Sequence, residues 1–170
     1  MIRERKERQF DESQYEILIM CSKNGELAQW NEWRENNQKV SIYLEGANFL
    51  GANLAGADLS EANLAGTNLG KINLEGADLW KANLKSTNLC NANLKGVELI
   101  SADLTDADLR NVNLAGADLW KANLKGAKLI AAKVDRQTFI WGCDFDKQTV
   151  FNGKELCLAR IEPRLKKILQ

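Results

Sequence analysis

The sequence predicts an all-β solenoid: a four-sided β-helix of about five coils, with a helical cap at its N-terminal end and an irregular cap at its C-terminal end. Three observations predict it. A large apolar residue recurs at every fifth position from Leu44 to Leu129, eighteen times without a break, and only Phe49 is not leucine. The neighbours keep the same phase: small or β-branched two before (Ala47, Ala57, Thr67, Ile72), Asn or Asp one before (Asn48, Asn53, Asp58), and often Gly two after (Gly46, Gly56, Gly96). The flanking segments 1–41 and 137–170 lack this regular period.

A period of five fits neither an α-helix nor a strand. It needs a backbone that turns a corner every five residues. On each short side, the leucine and the small residue two before it can both point inward. Asn or Asp can accept from nearby backbone N–H groups in Asx-type turns. Gly supplies a positive φ at a corner without steric cost. Four such sides close a square coil of twenty residues, and coils stack through parallel hydrogen bonds about 4.8 Å apart. Residues 42–136 then make a rod roughly 23 Å long by that spacing.

A solenoid exposes its core at both ends, so the flanks are expected to cover it. In 1–41, Asp11 with Gln14 reads as a capping box ahead of Tyr15, Ile17, Leu18 and Met20. Asn24-Gly25 reads as a helix stop. Leu27, Trp30, Trp33 and Arg34 then recur at helical spacing up to Asn36-Asn37. The two tryptophans are expected to plug the first coil, the alternative being a docking groove.

After Ala132 the register decays, and Val134-Asp135-Arg136-Gln137-Thr138-Phe139 is echoed eleven residues later by Phe145-Asp146-Lys147-Gln148-Thr149-Val150. The echo predicts two similar irregular turns. Residues 149–156 look like a hairpin about Asn152-Gly153. Ile161, Leu165, Ile168 and Leu169 have helical spacing after Pro163. That tail would pack on the cap or pair with another subunit.

The phased Ala-(Asp/Asn)-Leu motif resembles that of the pentapeptide-repeat family. The resemblance implies a right-handed quadrilateral β-helix, and it implies no catalytic residues, since the family shares none. The Trp30-Asn31-Glu32-Trp33-Arg34 stretch is similar to leader segments of cyanobacterial members. Some members bind DNA gyrase by imitating the charge of duplex DNA. Residues 42–136 carry 11 acids and 10 bases and depart from that pattern. A regulator of cyanobacterial cell differentiation is a further reading by resemblance.

Composition narrows the function classes. Lys plus Arg and Asp plus Glu number 23 each, so no broad phosphate-binding surface is expected and no nucleic acid partner. There is no histidine, the commonest general base and metal ligand. With a core of Leu and Ala there is no expected pocket, so we expect no enzyme, cofactor or metal. The longest apolar run, Ile17 to Cys21, is far too short for a membrane span. Met1 to Arg8 lacks an apolar signal core, and a cytoplasmic location with reduced thiols is expected. A disulfide between Cys143 and Cys157 is the less favoured alternative.

Stacking each residue on the one twenty positions later sorts the outward side chains into columns. One is an apolar ladder: Ser60, Trp80, Ile100, Trp120, and Ile140 if the register holds that far. Asp58, Asp78, Glu98 and Asp118 lie on its inner side, and Lys81 and Lys121 on its outer side. The other three columns carry no such run. Trp80, Ile100, Trp120, Lys81 and Lys121 are therefore the candidate surface for an unknown protein partner or a homodimer, because exposed apolar patches of this size usually mark contacts. Two other readings stand beside it. A chain terminus could cover the ladder, or the tryptophans could be a tolerated relic of duplication, since residues 76–85 and 116–125 are identical.

Overall fold

The computed structural model describes residues 10–146, 149–152 and 160–161. From Tyr43 onward the chain climbs by parallel bridges between residues twenty positions apart, for example Asp58 to Asp78, Asp78 to Glu98 and Glu98 to Asp118. Each central leucine donates its N–H up the stack: Leu59 to the Asp78 carbonyl at 2.8 Å, Leu79 to Glu98 at 2.8 Å, Leu99 to Asp118 at 2.7 Å. Between sides the chain turns, and the Ala62 N–H closes one such turn onto the Leu59 carbonyl at 3.1 Å. Leu, Ala, Val, Ile and Thr at the two inward positions are buried, including Leu59, Leu79, Leu99, Leu119, Ala77 and Val97, while Ala52 in the first coil is half-buried.

Every corner from residue 46 to residue 131 places the second residue after the leucine in the left-handed region. Glycine fills fewer than half of them. Lys71 (φ 56°), Lys81 (φ 54°) and Asn91 (φ 59°) adopt the same conformation with a side chain attached. The sequence pattern linked positive φ to the glycines alone; the fold imposes it on all eighteen corners, because one backbone shape has to repeat for the coils to stack.

Three sides are stitched by stacked amides. Asn68 donates Nδ2 to the Asn48 Oδ1, Asn88 to Asn68, Asn73 to Asn53, Asn93 to Asn73 and Asn83 to Asn63, all at 2.9–3.1 Å. The acids at the equivalent position of the fourth side have no amide to donate. Asp78 and Asp118 keep only the bond that the asparagines also make, accepting the N–H two residues on, from Trp80 at 2.8 Å and Trp120 at 2.9 Å.

Two helices lie against the first coil: α1, Glu12–Asn24, and α2, Leu27–Asn36. Asp11 caps α1 by accepting the Gln14 N–H, and Gly25 ends it at φ 73°. Only half of the expected capping box forms. The Gln14 side chain turns to the coil, donating to the Ser41 carbonyl at 2.9 Å and accepting the Tyr43 N–H at 2.8 Å. The buried stripe of α1 is consequently Gln14, Leu18 and Cys21, while Ile17 and Met20 face out. On α2, Trp30 is fully buried and donates Nε1 to the Asp58 carbonyl at 2.8 Å, with the half-buried Trp33 ring 5.3 Å away. Arg34 reaches the Ser60 carbonyl at 3.1 Å, and its Nε lies 3.5 Å from the Asp58 carboxylate.

Beyond Val134 the stack continues through short strands. β1 (Lys128–Ile130) pairs in parallel with β3 (Val150–Asn152), and β2 (Phe139–Ile140) with β4 (Arg160–Ile161). The sequence echo corresponds to two matching turns. In the first, Thr138 N–H donates to Asp135 Oδ1 and Asp135 N–H to Thr138 Oγ1, both at 2.9 Å. In the second, Thr149 and Asp146 do the same at 2.9 and 3.2 Å. Each turn inserts one residue, so Asp118 bridges to Phe139 and Lys128, after both insertions, to Val150. Gly153 of the expected hairpin, the tail beyond Ile161 and Cys157 lie outside the described residues.

Candidate interaction surface

The turn that follows each leucine holds the ladder. Ala82 N–H donates to the Leu79 carbonyl at 3.0 Å, which makes Trp80 and Lys81 the two central residues of a corner. The ladder therefore runs along one edge of the rod and not down the middle of a flat wall. The Asp or Glu column lies on the side just before that edge.

The upper end of the ladder departs from expectation. Lys81 N–H donates to the Ile100 carbonyl, Ser101 N–H to Trp120 and Lys121 N–H to Trp141, at 2.9, 2.8 and 2.9 Å. Trp141 stands where Ile140 was expected. The insertion at Asp135–Thr138 moves the chain on by one residue, and a one-residue shift exchanges inward for outward. Ile140 is thus buried at 2% exposure and replaces a central leucine. The column reads Ser60, Trp80, Ile100, Trp120, Trp141, with the tryptophans 37%, 41% and 40% exposed. The shift was not visible in the repeat itself; the Asp-x-x-Thr echo was the only signal for it.

Lys81 and Lys121 lie on the ladder and not beside it. Their ammonium groups sit 4.0 Å and 4.3 Å from the ring centroids of Trp80 and Trp120, in cation–π contact. Lys81 Nζ also approaches Glu61 at 3.9 Å. Phe139 stacks nearly parallel to Trp141, with centroids 6.3 Å apart. At the lower end, Ser60 is half-buried beneath Arg34.

The remaining chemistry is sparse. A cleft of about 290 Å³ opens between Arg34, Lys39, Val40, Ser60 and Glu61, where α2 meets the first coil. Its guanidinium is already engaged by the Val40 and Ser60 carbonyls and Asp58. Cys143 Sγ donates to the Leu119 carbonyl at 2.8 Å, and the question of its pairing with Cys157 lies outside the described residues. Among the described residues no helix is long and apolar enough to cross a membrane.

A family model for pentapeptide repeats matches in eight copies, over residues 41–76, 72–111 and 107–136. The chain belongs to the pentapeptide-repeat family. The right-handed quadrilateral β-helix of pentapeptide-repeat proteins is its fold, in agreement with the parallel bridges every twenty residues. Solved pentapeptide-repeat proteins are similar to it. One is alr5209 from Nostoc PCC 7120, at 33% identity over 70% of this chain and 94% of that one, TM-score 0.27. Another is Rfr23 from the cyanobacterium Cyanothece 51142, at 29% identity over 74% and 99%, TM-score 0.40. A third is HetL of Nostoc sp. strain PCC 7120, described as involved in heterocyst differentiation regulation, at 27% identity over 71% and 65%, TM-score 0.34. A comparison with curated proteins finds no match. Pentapeptide-repeat proteins are generally structural or binding proteins, and this chain is a repeat scaffold of that kind.

Proposed function

We propose that the protein is a non-enzymatic interaction module whose rigid rod presents the ladder Trp80, Ile100, Trp120 and Trp141 to another protein. One observation carries the reading: three tryptophans more than a third exposed, aligned along a single edge of the stack. Buried tryptophan is a frequent anchor of binding energy, and aligned apolar side chains left in water are costly without a use. Lys81 and Lys121 cover part of the indole faces and are expected to move when a partner displaces them.

In this reading segment 42–136 is the rod, of about five coils, and 1–41 and 137–170 are its caps. No reaction, cofactor, metal or nucleic acid enters the function, and the module works in the cytoplasm. A partner of the duplex-DNA-mimic kind finds no support in a rod with 11 acids and 10 bases.

The test is the double variant Trp80→Ala with Trp120→Ala. Capture of partners from the source organism should fall while melting stays near wild type, since both rings lie outside the core. A large drop in melting temperature would mean that the ladder is covered by its own chain. A variant unchanged in both would leave the tryptophans without a role.

A further inference from the structure

The ladder's neighbours are as informative as the ladder. On three sides of the rod the residue before each leucine is mostly Asn, and successive amides bond to each other along the stack. On the side bordering the ladder the same position holds Asp58, Asp78, Glu98 and Asp118, bridged directly one above the next. Like charges placed opposite each other on a sheet destabilise it, and Asn there would have added hydrogen bonds. Arg34 offsets Asp58. Asp78, Glu98 and Asp118 form no ion pair among the described residues, although the ion pairs Lys85–Asp103, Lys95–Glu75 and Lys125–Asp144 link coils elsewhere. Among the described residues, acids stack directly on acids only on the side that adjoins the exposed tryptophans, and such local conflicts concentrate at functional sites.

We infer that the ladder edge and the acidic column beside it together receive a basic amphipathic helix of another protein, lying along the rod axis. This deepens the contact-surface reading above and rests on it. Two arguments choose this occupant. Charge complementarity asks for a row of Lys or Arg next to an apolar row, to meet Asp78, Glu98 and Asp118 beside Trp80, Ile100, Trp120 and Trp141. A second copy of this chain packed antiparallel, about a two-fold axis across the rod, would set one acidic column against another, which is repulsive; a parallel second copy is the occupant that the dimer measurement below would reveal.

Spacing then selects the helix. The coils repeat about every 4.8 Å. An α-helix advances about 5.4 Å per turn, so its i, i+3 and i+4 positions stay nearly in step with three or four coils. An extended strand puts same-side residues nearly 7 Å apart and falls out of step after one coil. The apolar stripe of the helix covers the indoles, and its basic stripe neutralises the carboxylates. Lys81 and Lys121 swing off the rings they cover.

The experiment uses the full chain and three synthetic peptides of about 15 residues, near the length at which an isolated helix forms. One has Leu at i, i+3, i+4 and i+7 with Lys elsewhere. The second has the same composition in scrambled order, and the third replaces Lys by Glu. Binding is measured by titration calorimetry at low and high salt, for wild type, for Trp80→Ala with Trp120→Ala, and for Asp78→Asn with Glu98→Gln and Asp118→Asn. Wild type is expected to bind the amphipathic Lys peptide, with affinity that falls as salt rises, and to bind the other two at least about tenfold more weakly. Both variants are expected to lose roughly tenfold, the amide variant with a flattened salt dependence.

Equal binding of the acidic or scrambled peptide, no binding of the Lys peptide, or an amide variant as good as wild type overturns the basic-helix occupant. If in those cases the tryptophan variant still fails to capture partners, the general contact surface stands. A tryptophan variant that binds the Lys peptide as wild type does refutes both. A concentration-dependent wild-type dimer that the tryptophan variant lacks would make the occupant a second copy and overturn the inference.

Discussion

Asp135 Oδ1 accepts the Gly116 N–H at 2.9 Å, where one coil earlier the Ala115 carbonyl accepts the Gly96 N–H at the same distance. A side chain has taken the place of the backbone in the ladder. The Gly126 N–H repeats the substitution with Asp146 Oδ1 at 3.1 Å. Each substitution frees the backbone to take one extra residue, and the first is what brings Trp141 to the ladder edge and sends Ile140 into the core.

This joint makes the C-terminal end sensitive to acid. The Gly116 N–H holds the Asp135 carboxyl below its ordinary range, with the Gln137 N–H and the Thr138 N–H and hydroxyl helping, against a desolvation that raises it. A carboxyl depressed in the folded state contributes stability that is complete above its unfolded value of about 3.9 and is lost as pH falls through the lower folded value. Asp135→Asn should therefore melt below wild type by a constant margin above about pH 5, with the margin narrowing below about pH 4. Thermal melts across that range check it, and a margin independent of pH would remove the charge from the argument.

Replacing Leu89 by Asp tests the inward assignment of the central leucines. Leu89 is fully buried in mid-rod, and its neighbours up and down the stack are Leu69 and Leu109, both buried. An unpaired carboxylate there either protonates or unfolds the coil, at a cost of several kcal/mol. The melting temperature should fall by about 10 °C or more, or the protein should fail to fold. A shift of a degree or two would be incompatible with this packing.

The corners predict a conformational cost without any clash. Gly96 has φ 64° and nothing within 4 Å of where a Cβ would stand. Gly96→Ala should still cost about 1 kcal/mol, because a Cβ disfavours the left-handed region. Lys71→Gly, at φ 56°, should shift stability the other way by a smaller amount, since glycine also loses more chain entropy on folding. Urea titrations of both variants measure the signs. If both are neutral, the corners relax out of the left-handed region.

The proposed N-terminal cap meets the first coil through Trp30, which is fully buried and donates to the Asp58 carbonyl. Trp30→Ala should cost about 3–5 kcal/mol, in the range of large aromatic truncations. Removing residues 1–38 should expose the edge of the first coil and promote aggregation. A truncated protein that stayed monomeric and equally stable by light scattering and melting would contradict that role.

The rod was legible in the sequence because one backbone unit repeats. Leu44 to Leu129 specify the inward position eighteen times, and no local exception can outvote that phase. The side columns were legible for the same reason. Gln14 was misread because its amide has two uses, and the bonds to Ser41 and Tyr43 are available only once the coil exists. Ile17 and Met20 belong to the apolar run that marks the helix in the sequence, yet α1 packs through a narrow stripe offset from them. Trp141 was missed because an insertion of one residue leaves the composition unchanged and alters only the phase.

That phase difference yields the sharpest remaining prediction, since Ile140 and Trp141 are adjacent and should behave as opposites. Ile140 is 2% exposed and occupies the position of a central leucine, two residues after the fully buried Thr138. Ile140→Ala should leave a cavity and cost about 2–5 kcal/mol, with no direct effect on association. Trp141 is 40% exposed at the end of the ladder, one coil above Trp120. Trp141→Ala should lose its stack on Phe139 and little else, a change of about 1 kcal/mol or less, while weakening capture by the ladder. In an unshifted register the effects would be reversed: Ile140→Ala would be nearly silent in melting, and Trp141→Ala would open the core. Melting curves of the two single variants, read beside the association measured for Trp80→Ala with Trp120→Ala, decide which residue belongs to the edge and which to the interior.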